Sequence, residues 1–332
     1  MPVRLRSLWM RWWRPCIAAG LSLLPALSAQ AQPGVWPLKP VRLVVSSSAG
    51  GPYDDVARAL GPRLTEIWGQ TVVVENRAGA GGTIGAAFVA KAVPDGYTMM
   101  LGNAGPMAIN PLLQKKLPYD TQRDFMPITL IMSAPMVLVV HPSMPVKSVR
   151  DIVALATAKP GRINYGSAGV GNLQHLSMEL LLSMAHSKMN HVPYKGAAPA
   201  LVDLIAGQVD LMFANIVGAL PHIKGERLRA IAVSSASRSS LLPTVPAVAN
   251  TYPQFDVTAW MGLFLPAGTP RELANKIGAD FIQVVKRADM RERLAGQGAE
   301  AIAGPPEQLA DLMRRESAMY AKVIREIGLS PE

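Results

Sequence analysis

Short apolar runs alternate with amphipathic stretches along this chain, and one design recurs. Val41 to Val45 is a β-branched and apolar run that reads as a buried strand. Ser46-Ser47-Ser48-Ala49-Gly50-Gly51 follows with no bulk. Pro52 suits the first turn of a helix, where its missing N–H leaves no bond unmade, and Asp54 and Asp55 complement the helix dipole. Val56, Ala59, Leu60, Leu64 and Ile67 then recur at helical spacing. Strand, small-residue loop and helix start is where open α/β sheets bind ligands, and free N–H groups there favour an anion. The plainer alternative is an ordinary βα connection.

The pattern continues. Thr71 to Glu75 is a second strand, Asn76 to Gly82 a glycine loop and Ile84 to Val93 a small-residue helix. Pro94-Asp95-Gly96 is a turn, and Tyr97 to Leu101 a third strand ending at Gly102-Asn103-Ala104-Gly105. Ile128 to Met132 and Met136 to Val140 read as two further apolar runs. Ser148 to Ala158 is helical, stopped before Pro160-Gly161. Ile163-Asn164-Tyr165 leads into Gly166-Ser167-Ala168-Gly169-Val170-Gly171-Asn172, and a helix follows from Leu173, repeating the opening unit. His191 to Tyr194, Asp210 to Phe213 and Leu228 to Ser234 read as strands, Ala200 to Ile205 as a helix, and Trp260 to Leu265 as an apolar run that bends at Pro266. Two amphipathic helices, Arg271 to Ala288 and Pro306 to Ile327, close the chain. Repeated strand–helix units mean a mostly parallel sheet with helices on its faces. The two halves predict a cleft lined by both glycine loops.

Composition sharpens this. At 332 residues and 49% hydrophobic, the chain suits two domains or one large α/β domain and is too apolar for disorder. Arg4, Arg6, Arg11 and Arg14, the apolar run Ile17 to Leu27 and Ala29-Gln30-Ala31 predict a secretory signal peptide over 1–31, cleaved after Ala31. Cys16, the one cysteine, falls inside it, so the exported protein has no disulfide and no thiol nucleophile. That fits a bacterial periplasm. Without the signal, 29 basic residues stand against 23 acidic ones, a net charge of +6, spread without a basic run. Nucleic-acid binding is not expected, and the mild positive field suits an anionic small molecule.

No catalytic constellation is expected. His141, His175, His186, His191 and His222 lack metal-ligand spacing, and each reads as structural, with His175 set apart by its place near a loop–helix start. Ser167 fits a Gly-x-Ser-x-Gly elbow only loosely, and Gly169-Val170-Gly171 lacks the third glycine of a dinucleotide fingerprint. No nucleophile–base pair, metal or cofactor is expected. What remains is a wealth of N–H groups and hydroxyls at Ser46–Gly51 and Ser167–Asn172, which hold carboxylates without reacting with them. Gly50 and Gly51 are expected to let N–H groups approach a ligand, on backbone at positive φ.

An ordered set of motifs also resembles the periplasmic solute-binding proteins of the tripartite tricarboxylate transporter class, the Bug family. They are Trp36-Pro37-x-Lys39-Pro40-Val41, Ala49-Gly50-Gly51-Pro52-x-Asp54, Val73-Val74-Glu75-Asn76-Arg77-x-Gly79-Ala80-Gly81-Gly82 and Ala92-x-Pro94-Asp95-Gly96-Tyr97-Thr98. Leu117-Pro118-Tyr119-Asp120, His191-Val192-Pro193-Tyr194-Lys195-Gly196, Gly207-Gln208-Val209-Asp210 and Pro266-Ala267-Gly268-Thr269-Pro270 follow in family order. The resemblance implies a type II periplasmic-binding-protein fold, two α/β domains joined by crossover strands with a ligand cleft between them. Residues 32–132 with about 260–332 would form domain 1, and 133–259 domain 2. It also implies a monomer that captures a small carboxylate in the cleft: a di- or tricarboxylate, an aromatic acid or an acidic amino acid. The ligand would go to membrane transporter subunits. A sensor feeding a membrane histidine kinase is the alternative, and an exported hydrolase the third. Carried onto this chain, the ligand-binding positions are Ser47, Ser48, Ala49, Gly50, Gly51, Asp54, Asn103, Ser167, Gly169, Gly171, Asn172, His175 and Tyr194. Tyr53, Asn172 and Ala214 depart from the family pattern: Tyr53 would narrow the cleft, and loss of an acid at 214 would weaken a grip on an ammonium group.

Overall fold

The structure, a computed structural model, describes residues 36–329. The expected signal peptide and its cleavage point lie outside the described residues. Ten strands join in one sheet whose path is β2-β1-β3-β9-β4-β7-β5-β6, with β8 and β10 also on β4. The first lobe holds β1 (Val41–Val45), α1 (Pro52–Trp68), β2 (Val72–Asn76), α2 (Thr83–Ala90) and β3 (Thr98–Gly102). A wide turn over Gly105–Ile109 enters the short α3 (Asn110–Leu113), and β4 (Phe125–Val140) follows. The second lobe holds α4 (Val149–Ala158), β5 (Asn164–Ser167), α5 (Leu173–Met184), β6 (Asn190–Pro193), α6 (Ala197–Ile205), β7 (Leu211–Asn215), α7 (Ile216–Lys224) and β8 (Arg229–Val233). β9 (Thr258–Pro266) returns the chain to the first lobe, where α8 (Arg271–Val285), α9 (Ala288–Gly296), β10 (Glu300–Ala301) and α10 (Pro306–Glu326) finish it.

The two apolar runs expected at 128–132 and 136–140 are one strand of 16 residues. Residues 125–135 pair with β9, and 136–140 pair with β7 and β8. Proline has no N–H for a ladder and normally interrupts one. Pro135 falls where β4 changes partners, so the strand runs on through it. Ser234 secures the changeover: its hydroxyl accepts from the Met136 N–H at 2.8 Å and donates to the Val257 carbonyl at 2.6 Å.

Strand direction decides where the loops gather. β1 is parallel to β2 and β3, β9 is antiparallel to both β3 and β4, and β7 and β8 are antiparallel to β4. β5 runs parallel to β6 and β7. The C-terminal ends of β1–β3 therefore point toward the second lobe, and those of β5–β8 point back toward the first. Loops after seven strands meet at one junction, crossed by β4 and β9.

The core mirrors this division. One face of the first lobe packs Val41, Leu43, Val45, Met261 and Leu263 under α1, α8 and α9. The matching face of the second packs Val137, Val139, Met212 and Ala214 with α6 and α7. On the other side a single cluster runs through both lobes, from Met100, Phe125 and Phe264 to Leu138, Phe213 and Leu176, with Leu309, Tyr320 and Val323 of α10 in it. Each lobe is thus packed on its own on one face, and α10 ties them on the other.

Candidate functional site

The first-lobe loop is held by a buried charge. Asp54, 2% exposed, accepts from the Gly50 N–H at 2.8 Å and from Arg58 Nε at 2.9 Å, one turn along α1. Burial pushes its carboxyl up, but the bonds from Arg58, Gly50 and Asn76 outweigh that and hold it below the usual range. Arg58 also donates to Asn76 Oδ1, and Asn76 Nδ2 donates to the Ser47 carbonyl. Asp54, Arg58 and Asn76 thus fix Ser47 to Gly50 from below. Gly51 caps α1 with no side-chain bond and Pro52 opens the helix, so the first-turn N–H groups stay free for a ligand or water. Gly50 takes φ 77°, as expected, whereas Gly51 is extended at φ −85° and ψ 169°. The expectation of positive φ holds at Gly50 and is corrected at Gly51, because an N-cap residue adopts β backbone.

The second-lobe loop rests on aromatic rings. Asn172 is the N-cap of α5, its Oδ1 accepting from the His175 N–H at 2.9 Å. His175 Nδ1 accepts from the Gly171 N–H at 3.0 Å, and Gln174 Oε1 accepts from the Ala168 N–H at 2.9 Å. The His175 and His191 rings stack at 3.9 Å and 10°, and Tyr165 stacks on His191 at 4.8 Å and 15°. Tyr165 donates to Glu179 Oε1, which lies 3.9 Å from His175 Nε2. Burial and then the neighbouring His191 lower the His175 imidazole to about 4, and burial lowers His191. Burial raises the Glu179 carboxyl against the opposing Tyr165 bond, and burial with the Glu179 charge raises the Tyr165 phenol.

His191 is a supporting residue that the sequence did not single out for the site. Its Nε2 stands 2.7 Å from Ser167 Oγ. A serine and a histidine in contact correct the expectation of no such pair. β5 and β6 are parallel neighbours with Tyr165 in register with His191, a juxtaposition 24 residues apart that spacing cannot reveal. Ser167 is fully buried, and its Oγ is also bonded with the Gly169 carbonyl at 3.0 Å and the Gly169 N–H at 3.2 Å. Among the described residues no carboxylate lies within 4.0 Å of His191 to orient it as a base.

The remaining expected positions divide. Asn103 Oδ1 accepts from the Gly105 N–H at 3.0 Å, bracing the turn after β3. The Tyr194 hydroxyl donates to Asp203 at 2.7 Å, and burial followed by that carboxylate raises the phenol to about 12. Ser48, Ala49 and Gly50 are exposed at the loop tip. Ala214 is buried in the second-lobe core; the exposed residue at the end of β7 is Asn215, which caps α7 by accepting from Val217 N–H at 2.9 Å. Hydrogen bonds join the first-lobe group within itself and the second-lobe group within itself. The loops approach where Gly171 meets Leu113 of α3, since a Cβ at 171 would stand 2.6 Å from Leu113 Cδ1.

Buried side-chain atoms without partners mark what these loops await. Among the described residues ten such atoms occur, and four belong here: Ser46 Oγ, Ser47 Oγ, Asp54 Oδ1 and Asn172 Nδ2. Buried polar groups are nearly always bonded, so this concentration sets the two loops apart among the described residues. Among the described residues no group of three or more His, Cys, Asp or Glu is placed to hold an ion.

Two lobes crossed by two strands, with strand-end loops facing each other across the junction, define a periplasmic solute-binding protein of the type II fold. The family model for the tripartite tricarboxylate transporter family receptor matches residues 56–329. The chain belongs to that family. It is similar to the "UPF0065 protein in tcbD-tcbE intergenic region" of Pseudomonas sp. (strain P51), 36% identical over 95% of this chain and 94% of that one. Among solved structures, "R. palustris Rpa4515 with adipate" is 34% identical with a TM-score of 0.76, covering 90% of this chain and 100% of the other. "MatC (Rpa3494) from Rhodopseudomonas palustris with bound malate" is 33% identical with a TM-score of 0.71, covering 87% and 99%.

Proposed function

We propose that this receptor captures a small carboxylated solute between Ser46–Gly51 and Ser167–Asn172 and delivers it to the membrane subunits of a tripartite tricarboxylate-type transporter. The observation that carries the reading is the set of unpartnered polar atoms on those loops. Free N–H groups at the start of α1 and the hydroxyls of Ser46 and Ser47 are donors, which suit a carboxylate. Relatives of about one-third identity have been solved with adipate and with malate. Ser47 to Gly51 and Asn172 are the contact residues in this reading; Asp54, Asn103, Ser167, Gly169, Gly171, His175 and Tyr194 shape the loops from behind. The lobes divide near Ser133 and Trp260, and the exported chain starts after Ala31. The protein acts as a carrier and not as a hydrolase, because Ser167 is buried and its partner His191 lacks an orienting carboxylate.

A thermal-shift screen tests this with mono-, di- and tricarboxylates, aromatic acids and acidic amino acids. A solute that binds only the native state stabilises it by about 2.7 kcal/mol at 100 times its Kd. At least one carboxylate class raises the midpoint, and Asn172→Ala reduces the shift. No response from any class contradicts the reading.

A further inference from the structure

His191 and His175 serve no obvious packing need that two apolar side chains would not meet better. Both rings are stacked within the second-lobe support, and both are bonded to the loop above them. His175 Nδ1 takes the Gly171 N–H at 3.0 Å. Since a backbone N–H donates, that nitrogen carries no proton, and the neutral ring holds its proton on Nε2, toward Glu179 Oε1 at 3.9 Å. A protonated His175 cannot accept from Gly171. The loop would lose the bond that sets Gly171 beside Asn172, whose unpartnered Nδ2 is among the atoms assigned to solute. His191 holds Ser167 Oγ at 2.7 Å at the other end of the same loop.

We propose that His175 is a positioning residue: its uncharged ring, stacked on His191, fixes the Ser167–Asn172 loop by accepting from the Gly171 N–H, so that the loop's geometry is linked to protonation of His175, while His191 donates to Ser167 Oγ, whose own proton goes to the Gly169 carbonyl. The inference rests on the reading of that loop as part of the solute site. The surroundings favour the neutral pair. The rings lie 3.9 Å apart, where two positive charges repel strongly, and Tyr165 covers the outer face of His191. The polar groups that face the two rings are Tyr165 and Ser167 of β5 and Glu179 of α5. Asp203 of α6 is taken up by Tyr194. Among the described residues Glu179 is the one carboxylate within 4.0 Å of either ring, and it accepts from Tyr165. Burial depresses both imidazoles, which keeps the pair neutral near pH 7. Acidification that charges His175 releases Gly171, whereas His191 donates to Ser167 in either state.

The test uses the exported protein, labelled on its imidazole nitrogens, and adipate as the probe. Long-range proton–nitrogen correlation should show His175 as the Nε2–H tautomer at pH 7, with the Gly171 amide resonance moving on the same titration as His175. In calorimetry at pH 7, His175→Ala should bind adipate at least tenfold more weakly. His175→Asn, whose Oδ1 replaces the acceptor without titrating, should restore affinity to within threefold. Between pH 7 and pH 4 the wild type should lose at least twofold more affinity than His175→Asn, which shares adipate's own titration and so cancels it. A Gly171 amide blind to His175, or His175→Ala with wild-type affinity, overturns the proposal. Should adipate fail to bind the wild type at pH 7, the functional reading fails for that solute, while the tautomer and the Gly171 titration still decide the proposal. If His175→Ala does not fold, His175→Asn decides alone: an acid loss of affinity equal to that of the wild type overturns the proposal.

Discussion

At Gly50 the backbone sits at φ 77° with no atom within 4 Å of a side chain there, whereas Gly51 is extended and would place a Cβ 3.4 Å from the Ser48 carbonyl. Backbone strain and steric crowding are therefore separable at adjacent residues. Gly50→Ala should lose about 1–2 kcal/mol of stability, the strain of a non-glycine residue in left-handed backbone. It should also weaken solute binding, because the Gly50 N–H is anchored to Asp54. Gly51→Ala should change stability by less than about 1 kcal/mol. Urea melts of both variants beside adipate titrations check the pair; equal losses would mean that the turn does not depend on positive φ at 50. Much of this scale was legible in sequence. Small residues after a strand and before Pro52 marked the first loop, and the same logic marked the second. What stayed hidden were contacts between distant residues. Arg58 to Asn76 and Ser167 to His191 join separate units, and spacing along a chain carries no trace of them.

Beside the crossing strands, α10 packs into the core shared by both lobes, and Glu316 is its one buried carboxyl. Glu316 is 3% exposed; its Oε2 accepts from Trp260 Nε1 at 2.8 Å, and its Oε1 has no partner. Trp260 is in register with Ser133, at the crossover. Burial lifts the Glu316 carboxyl to about 8, opposed by the Trp260 bond and helped by Asp256, so the group is protonated at neutral pH. A folded value raised above the ordinary 4.5 contributes stability that is complete below about pH 4.5 and is lost as pH rises through about 8. Between about pH 6 and about pH 9.5 the wild type should lose roughly 2 kcal/mol more than Glu316→Gln, which cannot ionise. Urea midpoints at the two pH values measure this, and parallel losses would contradict a buried protonated acid. Elements with a strong period, such as α10 and α1, were readable from the chain. α9 buries only Met290 and Leu294, and α7 contains Pro221, so neither shows a repeating apolar face. β4 was split in the reading because proline usually ends a strand, and only the exchange of partners at Pro135 explains its continuity.

At the scale of the molecule, each lobe has its own core on one face and shares a core on the other, with β4 and β9 crossing between them, and the proposed carrier role calls for a hinge at those two strands. On the proposed reading, closure would bring the Ser46–Gly51 loop to the Asn172 loop, and Ser46 Oγ, Ser47 Oγ and Asn172 Nδ2 would find acceptors on the solute. Solute should therefore compact the protein by a hinge motion, read as a smaller radius of gyration in solution scattering. An unchanged radius in the presence of a saturating solute would argue for a preformed closed site. The central claim is that carboxylate groups, held by loop donors, are what the cleft recognises. Calorimetric titration of the exported protein with adipate, malate and their dimethyl esters tests that directly. One-to-one binding of at least one free acid, absent with its diester and weakened by Ser47→Ala and Asn172→Ala, is the predicted result. Silence from both acids, or equal binding of acid and ester, would contradict it.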